Sequence, residues 1–196
     1  MKITFLWLLF LVIAFLISLS AYNALPDSVL DITGKNLRLG IDYHVVPVFH
    51  SRGDGLTLAS TGNETCPLDV VQEQQDVNNG LPLTFIPVNP NKGVICVSTD
   101  LNIKFSAATV CIQSTVWKLG YDESLPQYFI TSGGVEGNPG RKIEKYEKDY
   151  KLLFCPTVCD SCRVICIDVG IFIKSGKWRL ALSDRDVPFK VMFKKA

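Results

Sequence analysis

The sequence predicts an all-β domain. Short runs rich in Val, Ile, Phe, Tyr and Thr recur along the chain, and turns rich in Gly, Pro, Asn and Asp separate them. Apolar and polar residues alternate most clearly in 101–105, 178–182 and 189–193, where the first residue of each pair is expected to face the core. No stretch combines helical periodicity with capping residues. Frequent short strands indicate a closed barrel or a sandwich, and the pattern alone does not choose between them.

Twelve runs are predicted as strands. In chain order they are 43–49, 56–59, 83–86, 94–98, 101–105, 116–119, 128–131, 143–146, 151–154, 167–173, 178–182 and 189–193. The charged run at 141–150 alternates in sign, which is typical of a solvent-exposed strand and turn. His44 falls in the first predicted strand and is expected to be a half-exposed sheet residue.

Residues 1–24 are predicted to form a secretory signal peptide. Lys2 precedes an unbroken apolar run at 5–17, and small and polar residues follow it. The run is shorter than the roughly 20 apolar residues that span a bilayer, and an uncleaved anchor is the alternative. Residues 25–196, about 170 in number, suit one domain with its own core. The chain has 20 basic and 19 acidic side chains, a balance that argues against a nucleic-acid partner.

Four of the seven cysteines are clustered near the C-terminus. Cys155, Cys159, Cys162 and Cys166 have the spacing C-x3-C-x2-C-x3-C. Such spacing suits either a metal site or two disulfides. Because a secreted chain meets oxidising conditions, disulfides are favoured, and no metal or other cofactor is expected.

Several segments resemble the plant Kunitz-type family, whose type member is soybean trypsin inhibitor. They are VLDITGKNL at 29–37, YHV at 43–45, CPLDVVQ at 66–72, STVW at 114–117, YKLLFCP at 150–156 and LALS at 180–183. The four-cysteine cluster and STDLNI at 98–103 resemble the miraculin-like branch of this family. The resemblance extends from residue 29 to the C-terminus. It implies a β-trefoil, in which twelve strands form three pseudo-repeats, six in a barrel and six in a cap.

The resemblance also implies a pattern of disulfides. It pairs Cys66 with Cys111 and Cys155 with Cys166, and the miraculin-like pattern nests a Cys159–Cys162 bridge inside the second pair. Cys96 is then left over. We expect it to be a buried structural thiol, since a free cysteine behaves as a small hydrophobe, and an intermolecular bridge is the alternative.

In this family, an exposed loop between the strands that 83–86 and 94–98 resemble carries the inhibitory activity. Here it spans 87–94, and the candidate reactive residues are Asn89, Pro90, Asn91, Lys92, Gly93 and Val94. Two prolines restrict the backbone toward extended geometry. Lys92 suits the anionic specificity pocket of a trypsin-like enzyme, and Asn91 is the alternative primary contact. Gly93 loosens the backbone at a point where such a loop needs rigidity. Leu39 stands where the family has an asparagine that supports the loop.

The resemblance therefore implies a protease inhibitor, and the predicted signal peptide implies that it is secreted. A monomer is expected. An enzyme is not expected, because the sequence contains no paired carboxylates, no metal-ligand cluster with histidine and no phosphate-cradling glycine loop. The inhibitor would act on a serine endopeptidase by reversible, substrate-like binding, in the apoplast or alternatively the vacuole, without a nucleic-acid or membrane partner. A non-inhibitory defence or storage protein, and an inhibitor of cysteine proteases that uses another loop, are the alternatives. Asn63 begins a glycosylation sequon. The histidines, His44 and His50, accompany no nucleophile arrangement, and the Arg-Gly-Asp tripeptide at 52–54 is interpreted as a turn.

Overall fold

The computed structural model of this chain describes residues 26–49, 54–62, 65–74, 78–90, 93–155, 166–183 and 187–196. The predicted signal peptide lies outside them. Within the described residues, no helix is long and apolar enough to cross a membrane. The strands are β1 (Tyr43–Pro47), β2 (Leu56–Ala59), β3 (Asp69–Gln72), β4 (Leu83–Pro87), β5 (Leu101–Phe105), β6 (Lys118–Asp122), β7 (Gln127–Thr131), β8 (Arg141–Tyr146), β9 (Asp149–Phe154), β10 (Ile167–Lys174), β11 (Lys177–Leu182) and β12 (Lys190–Lys195).

Six of these strands close into an antiparallel barrel. Around the barrel the order is β1, β4, β5, β8, β9 and β12, and β12 pairs with both β9 and β1 to complete the circle. The other six form hairpins β2–β3, β6–β7 and β10–β11, which meet one another through β11–β3, β11–β7 and β3–β7. Each successive group of four strands gives its outer pair to the barrel and its inner pair to the cap. The fold is a β-trefoil, as the resemblance implied.

Alternation along the barrel strands places one set of side chains in the core. Leu101, Ile103 and Phe105 of β5 are buried, and so are Val191 and Phe193 of β12. Strand β11 of the cap departs from the predicted alternation, because Ala181 is buried opposite Phe129 of β7 while Trp178 is half-buried. Phe129 of β7 lies opposite Ala181, and its ring lies against the guanidinium of Arg179, so the face that alternation assigns to solvent is covered and period-two reasoning fails there.

Two strand predictions need correction. Residues 94–98 form no strand. The isolated bridges Arg38–Val94 and Ser28–Cys96 connect them to the N-terminal segment, and the Ser98 N–H donates to the Ile143 carbonyl of β8 at 2.8 Å. Strand β3 was not predicted, since its four residues are all buried and show no alternation. Its buried carboxylate, Asp69, is compensated by Arg179 of β11 at 3.1 Å.

The charged run at 141–150 is also less solvated than its sequence indicates. Arg141 is buried, its guanidinium lies 5.6 Å from the ring centre of Phe154, and its Nη1 donates to the Asn138 carbonyl at 3.1 Å. Burial lowers the pKa of Arg141 to about 10, which leaves it cationic at neutral pH. A cation here is held by an aromatic ring and a backbone carbonyl instead of by water.

Candidate functional site

The loop between β4 and β5 leaves the barrel through a closed neck. Pro87 lies opposite Leu101, and the next N–H, from Val88, donates to the Asp100 carbonyl at 3.0 Å. Val88, Asn89 and Pro90 are exposed beyond this neck. The predicted primary contacts, Asn91 and Lys92, lie outside the described residues. The described part of the loop is therefore an exposed incoming arm, 88–90, and an outgoing arm that starts at Gly93.

The outgoing arm is held on both sides by one segment, residues 27–39, which we call the strap. On one side, the Leu39 N–H donates to the Gly93 carbonyl at 3.1 Å, and the Ile95 N–H donates to the Leu37 carbonyl at 2.9 Å. On the other side, the Val29 N–H donates to the Ile95 carbonyl at 2.9 Å, and the Val97 N–H donates to Asp27 at 2.8 Å. The two edges of the strap also bond to each other, since the Leu37 N–H donates to the Val29 carbonyl at 2.8 Å, so each of the three segments is held by the other two.

The strap is fastened to the barrel by two tyrosine hydroxyls. The Arg38 N–H donates to the hydroxyl of Tyr43 at 3.0 Å, and the Leu30 N–H donates to that of Tyr150 at 2.9 Å. The ring of Tyr150 packs at 5.5 Å from that of Phe193, whose carbonyl accepts a hydrogen bond from the Ile32 N–H at 2.9 Å. Packing of the barrel core therefore fixes the position of the strap, and the strap fixes the outgoing arm.

A local turn shapes the tip of the strap. Asp31 accepts hydrogen bonds from the Thr33 N–H at 2.8 Å, the Thr33 hydroxyl at 2.7 Å and the Lys35 N–H at 3.0 Å. Burial pushes the pKa of Asp31 upward, and these hydrogen bonds outweigh that effect and hold it below its ordinary value. The carboxylate is the form that braces the turn. The spacing Asp31-x-Thr33 is a signal in the sequence for such a turn.

Gly93 gives the loop a feature that a rigid extended loop lacks. Its φ is +63°, in the left-handed region that favours glycine, and its N–H donates to the Pro90 carbonyl at 3.0 Å. The backbone at Gly93 is therefore directed back toward Pro90. Leu39 contributes a backbone N–H to the loop, and its partly exposed side chain has no polar group to replace an amide.

Ion pairs surround the base of the loop. Lys145 contacts Asp27 of the strap at 2.6 Å, and this hydrogen bond raises the pKa of Lys145 and lowers that of Asp27. Lys142 lies 3.6 Å from Asp100, the residue that closes the neck. Both lysines belong to β8, which therefore places positive charge beneath the strap and the neck.

Apart from Cys96, the cysteines that the structure describes lie away from this loop. Cys66 is joined to Cys111, and Cys155 to Cys166. Among the described cysteines, Cys96 alone has a free thiol, and it is a buried residue of the outgoing arm. Cys159 and Cys162 lie outside the described residues, so their nested bridge stays a prediction.

The remaining residues that the sequence singles out form no further site in the part of the chain that the structure describes. His44 is half-buried in β1, as predicted, and Asp54 of the Arg-Gly-Asp tripeptide is buried. The sequon residue Asn63, as well as His50, Arg52 and Gly53, lies outside the described residues. Within the described part of the chain, no three His, Cys, Asp or Glu side chains come together as a metal-binding group.

Comparisons with known proteins add to this geometry. A family model described as Kunitz_legume, "Trypsin and protease inhibitor", matches residues 29–195. Kunitz trypsin inhibitor 5 of Arabidopsis thaliana is 50% identical over 182 residues, covering 89% of this chain and 88% of that protein. Miraculin of Synsepalum dulcificum is 51% identical over 193 residues, covering 90% and 87%. The crystal structure of a Kunitz type trypsin inhibitor from Cicer arietinum superposes with a TM-score of 0.76 at 31% identity, covering 87% of this chain and 99% of that one.

Proposed function

This chain belongs to the Kunitz family of trypsin and protease inhibitors, and on that premise we propose that it is a secreted inhibitor of a trypsin-like serine endopeptidase. The inhibitory element is the loop at 88–93, with Lys92 as the primary contact. Protease inhibition in general is supported by the family. The choice of enzyme class rests on the loop itself, since a lysine ammonium complements the anionic base of a trypsin-like specificity pocket.

One observation carries the proposal. The outgoing arm of the loop receives backbone hydrogen bonds on both edges from the strap, and the incoming arm is exposed beyond a closed neck. An outgoing arm fixed in this way loses little conformational entropy when an enzyme binds the loop, and preorganisation of this kind raises affinity. The Leu39 N–H provides part of the support that the side chain at this position cannot give.

The backbone of the loop is not extended at Gly93. A substrate-like loop presents an extended backbone on both sides of its primary contact, whereas Gly93 has a φ of +63°. Binding therefore requires the backbone at Gly93 to change conformation, which reduces affinity by the free energy of that change. We expect measurable and reversible inhibition of trypsin, weaker than a fully preorganised loop would give.

The test is a titration of trypsin with the purified full-length protein and three variants. Lys92→Ala should weaken inhibition about 100-fold or more, because it removes the side chain that fills the specificity pocket. Lys92→Arg should retain inhibition, since it keeps the positive charge. Lys174→Ala removes an exposed lysine from the β10–β11 hairpin and should leave inhibition unchanged.

The second candidate is a non-inhibitory binding protein that keeps the scaffold. The turned backbone at Gly93 and the apolar side chain of Leu39 favour it. Absence of trypsin inhibition by the wild-type chain at micromolar concentration would decide for this candidate. Inhibition of papain that is indifferent to Lys92 would instead place the working surface on another loop and identify a cysteine-protease inhibitor.

A further inference from the structure

Strand β6 has an open edge. Each of the three cap hairpins places one strand inside the cap and one strand, β2, β6 or β10, at its periphery. The outer edge of β2 is partly covered, since the Leu81 N–H donates to the Leu56 carbonyl at 2.8 Å. That of β10 is partly covered by the Phe189 N–H, which donates to the Val169 carbonyl at 2.9 Å. Within the described residues, β6 pairs with β7 alone. An uncovered edge is a template for pairing with another strand.

The bonds of β7 identify the backbone groups that lie on this edge. The Ser132 N–H, immediately after β7, donates to the Leu68 carbonyl at 2.8 Å, on the side of β7 that faces β3. Backbone groups point to alternate sides along a strand, so those of Thr131 point the other way and bond to the first residue of β6. The second and fourth residues of β6, Leu119 and Tyr121, therefore direct their N–H and carbonyl groups outward, to the open edge.

The sequence of β6, KLGYD, is complementary to itself when two copies run antiparallel. With a two-fold axis at Gly120, Leu119 of each copy lies opposite Tyr121 of the other. These are the two residues whose backbone groups face the edge, so each such pair can exchange two hydrogen bonds. Lys118 then lies opposite Asp122 of the second copy, which brings opposite charges together on one face.

Gly120 lies where the two backbones would come closest. The residues at the axis form a pair without hydrogen bonds, in which the two Cα atoms are about 4.5 Å apart. Glycine in a strand often marks such an approach by another backbone, because it has no side chain to obstruct it. A Cβ at this position would also lie 3.1 Å from Cγ2 of Thr131, so Gly120 is restricted within a single copy as well.

The charged ends of β6 are available for this pairing. Lys118 forms no ion pair with any residue that the structure describes. Asp122 is bound to Arg179 at 3.2 Å, and its side chain remains 27% exposed. A second cation can therefore reach this carboxylate from the open side of the strand.

The opposite face of β6 carries exposed aromatic surface. Tyr121 and Tyr128 are 54% and 49% exposed, and their ring centres lie 4.9 Å apart. Leu119 of a second copy would lie against Tyr121 and continue this row of apolar side chains. Such a contact removes ring surface from water, and aromatic side chains contribute strongly to interfaces of this kind.

We propose that two copies of this chain associate through antiparallel pairing of their β6 edges, with the two-fold axis at Gly120. Both copies use the same surface, so the assembly closes at a dimer. The contact between two five-residue strands is small, and the dimer is therefore weak and depends on concentration. The monomer expected from the sequence is the form at low concentration. The pairing does not involve the loop at 88–93 and does not depend on Lys92.

Sedimentation equilibrium of the purified full-length protein measures the association. The fraction of dimer should rise with protein concentration. Lys118→Glu would set two pairs of like charges across the axis and should raise the dissociation constant about tenfold or more. The control Lys174→Glu makes the same change of charge at an exposed position of β10 and should leave the dissociation constant unchanged. A monomer at every concentration up to about 1 mM would overturn the proposal.

A second measurement tests which surface pairs. In NMR hydrogen exchange, the amides of Leu119 and Tyr121 should exchange more slowly as the dimer forms, because only the dimer gives them acceptors. Tyr121→Pro removes an outward N–H without removing a bond to β7, and it should abolish the dimer. An unchanged melting temperature of the dilute variant would show that the fold is retained.

The outcomes separate this proposal from the proposed function. Lys118→Glu should inhibit trypsin as well as the wild-type chain does, so loss of dimerisation leaves the inhibitory loop untested and intact. Absence of trypsin inhibition would remove the proposed function and keep the dimer. A dimer that Lys118→Glu does not weaken, or one in which the two amides exchange as fast as in the monomer, would overturn the pairing by assigning the contact to another surface.

Discussion

The buried cluster around Arg179 should contribute strongly to stability. The guanidinium contacts Asp69 at 3.1 Å and Asp122 at 3.2 Å, and it stacks 3.3 Å from the ring centre of Phe129. The side chains of Arg179 and Asp69 are only 12% and 10% exposed, respectively. Arg179→Met would keep the apolar contact with the ring and leave the Asp69 carboxylate buried without its cation. Removing one partner of a buried ion pair costs about 3–5 kcal/mol.

This cost translates into a measurable change of melting temperature. For a domain of this size, each kcal/mol lowers it by about 2–4 °C, so Arg179→Met should lower it by about 6–20 °C. Differential scanning calorimetry at neutral pH measures the change, and urea denaturation checks the free energy of unfolding. Asp69→Asn in the same chain should recover part of the loss, because it removes the uncompensated charge.

The matched control is the Lys104–Glu136 pair. Its N–O distance is also 3.1 Å, but its side chains are 42% and 53% exposed. Water screens such a pair, so Lys104→Met should cost at most about 1 kcal/mol. If Arg179→Met proved no more costly than Lys104→Met, burial would not be what makes the Arg179 cluster stabilising, and the reasoning would be refuted.

Three further predictions concern the disulfides, a carboxylate and the turn at Gly93. Replacing both cysteines of a bridge by serine should lower the free energy of unfolding by about 4 kcal/mol for Cys66–Cys111, which spans 45 residues, and by about 3 kcal/mol for Cys155–Cys166, which spans 11. Chemical denaturation measures both losses. A larger loss of stability for the shorter loop would contradict the loop-entropy argument. The pKa of Asp122 is lowered chiefly by the hydrogen bond from the Ser124 hydroxyl, and Arg179 adds to the effect. The ionised carboxylate therefore stabilises the fold at pH values above the pKa that it has in the unfolded chain. This stability should be lost as the pH falls through the lower pKa of the folded protein. Ser124→Ala should raise that pKa toward its ordinary value in an NMR titration, and an unchanged pKa would exclude the hydroxyl as the cause. Gly93→Ala should disfavour the positive-φ backbone at this position by about 1–2 kcal/mol and tighten trypsin inhibition about 5- to 30-fold. The control Gly176→Ala, at a φ of +73° in a remote hairpin, should leave trypsin inhibition unchanged. Weaker inhibition by Gly93→Ala would show that the positive-φ form is the one that binds.

The fold class could be predicted because most barrel strands have one face in the core and one toward solvent. Alternation such as that of β5 and β12 records this difference directly in the sequence. Strand β3 could not be recognised in this way, because all four of its residues are buried. The burial of Asp69 depends on Arg179, which is 110 positions away and becomes a neighbour only in the folded chain.

The place of the candidate loop could be predicted from the resemblance, but its support could not. The hydrogen bond from Leu30 to the Tyr150 hydroxyl joins residues 120 positions apart. The apolar residues at 94–98 have the composition of a strand, whereas they form an arm that is hydrogen-bonded to both edges of the strap. Local sequence contains the turn chemistry of Asp31 and Gly93, and it does not contain the long-range contacts that give the loop its position.

The closure of the barrel has a consequence for when this protein becomes competent during its synthesis. Tyr43 of β1 lies opposite Lys195 of β12, so the first and last strands of the barrel pair with each other. The carbonyl that holds Ile32 of the strap also belongs to β12. A nascent chain emerges N-terminus first and therefore lacks both contacts until β12 has been synthesised. The loop at 88–93 leaves the ribosome early, but its support is assembled only when the final strand docks. The strap and the outgoing arm therefore lack part of their support at every stage of synthesis that precedes β12.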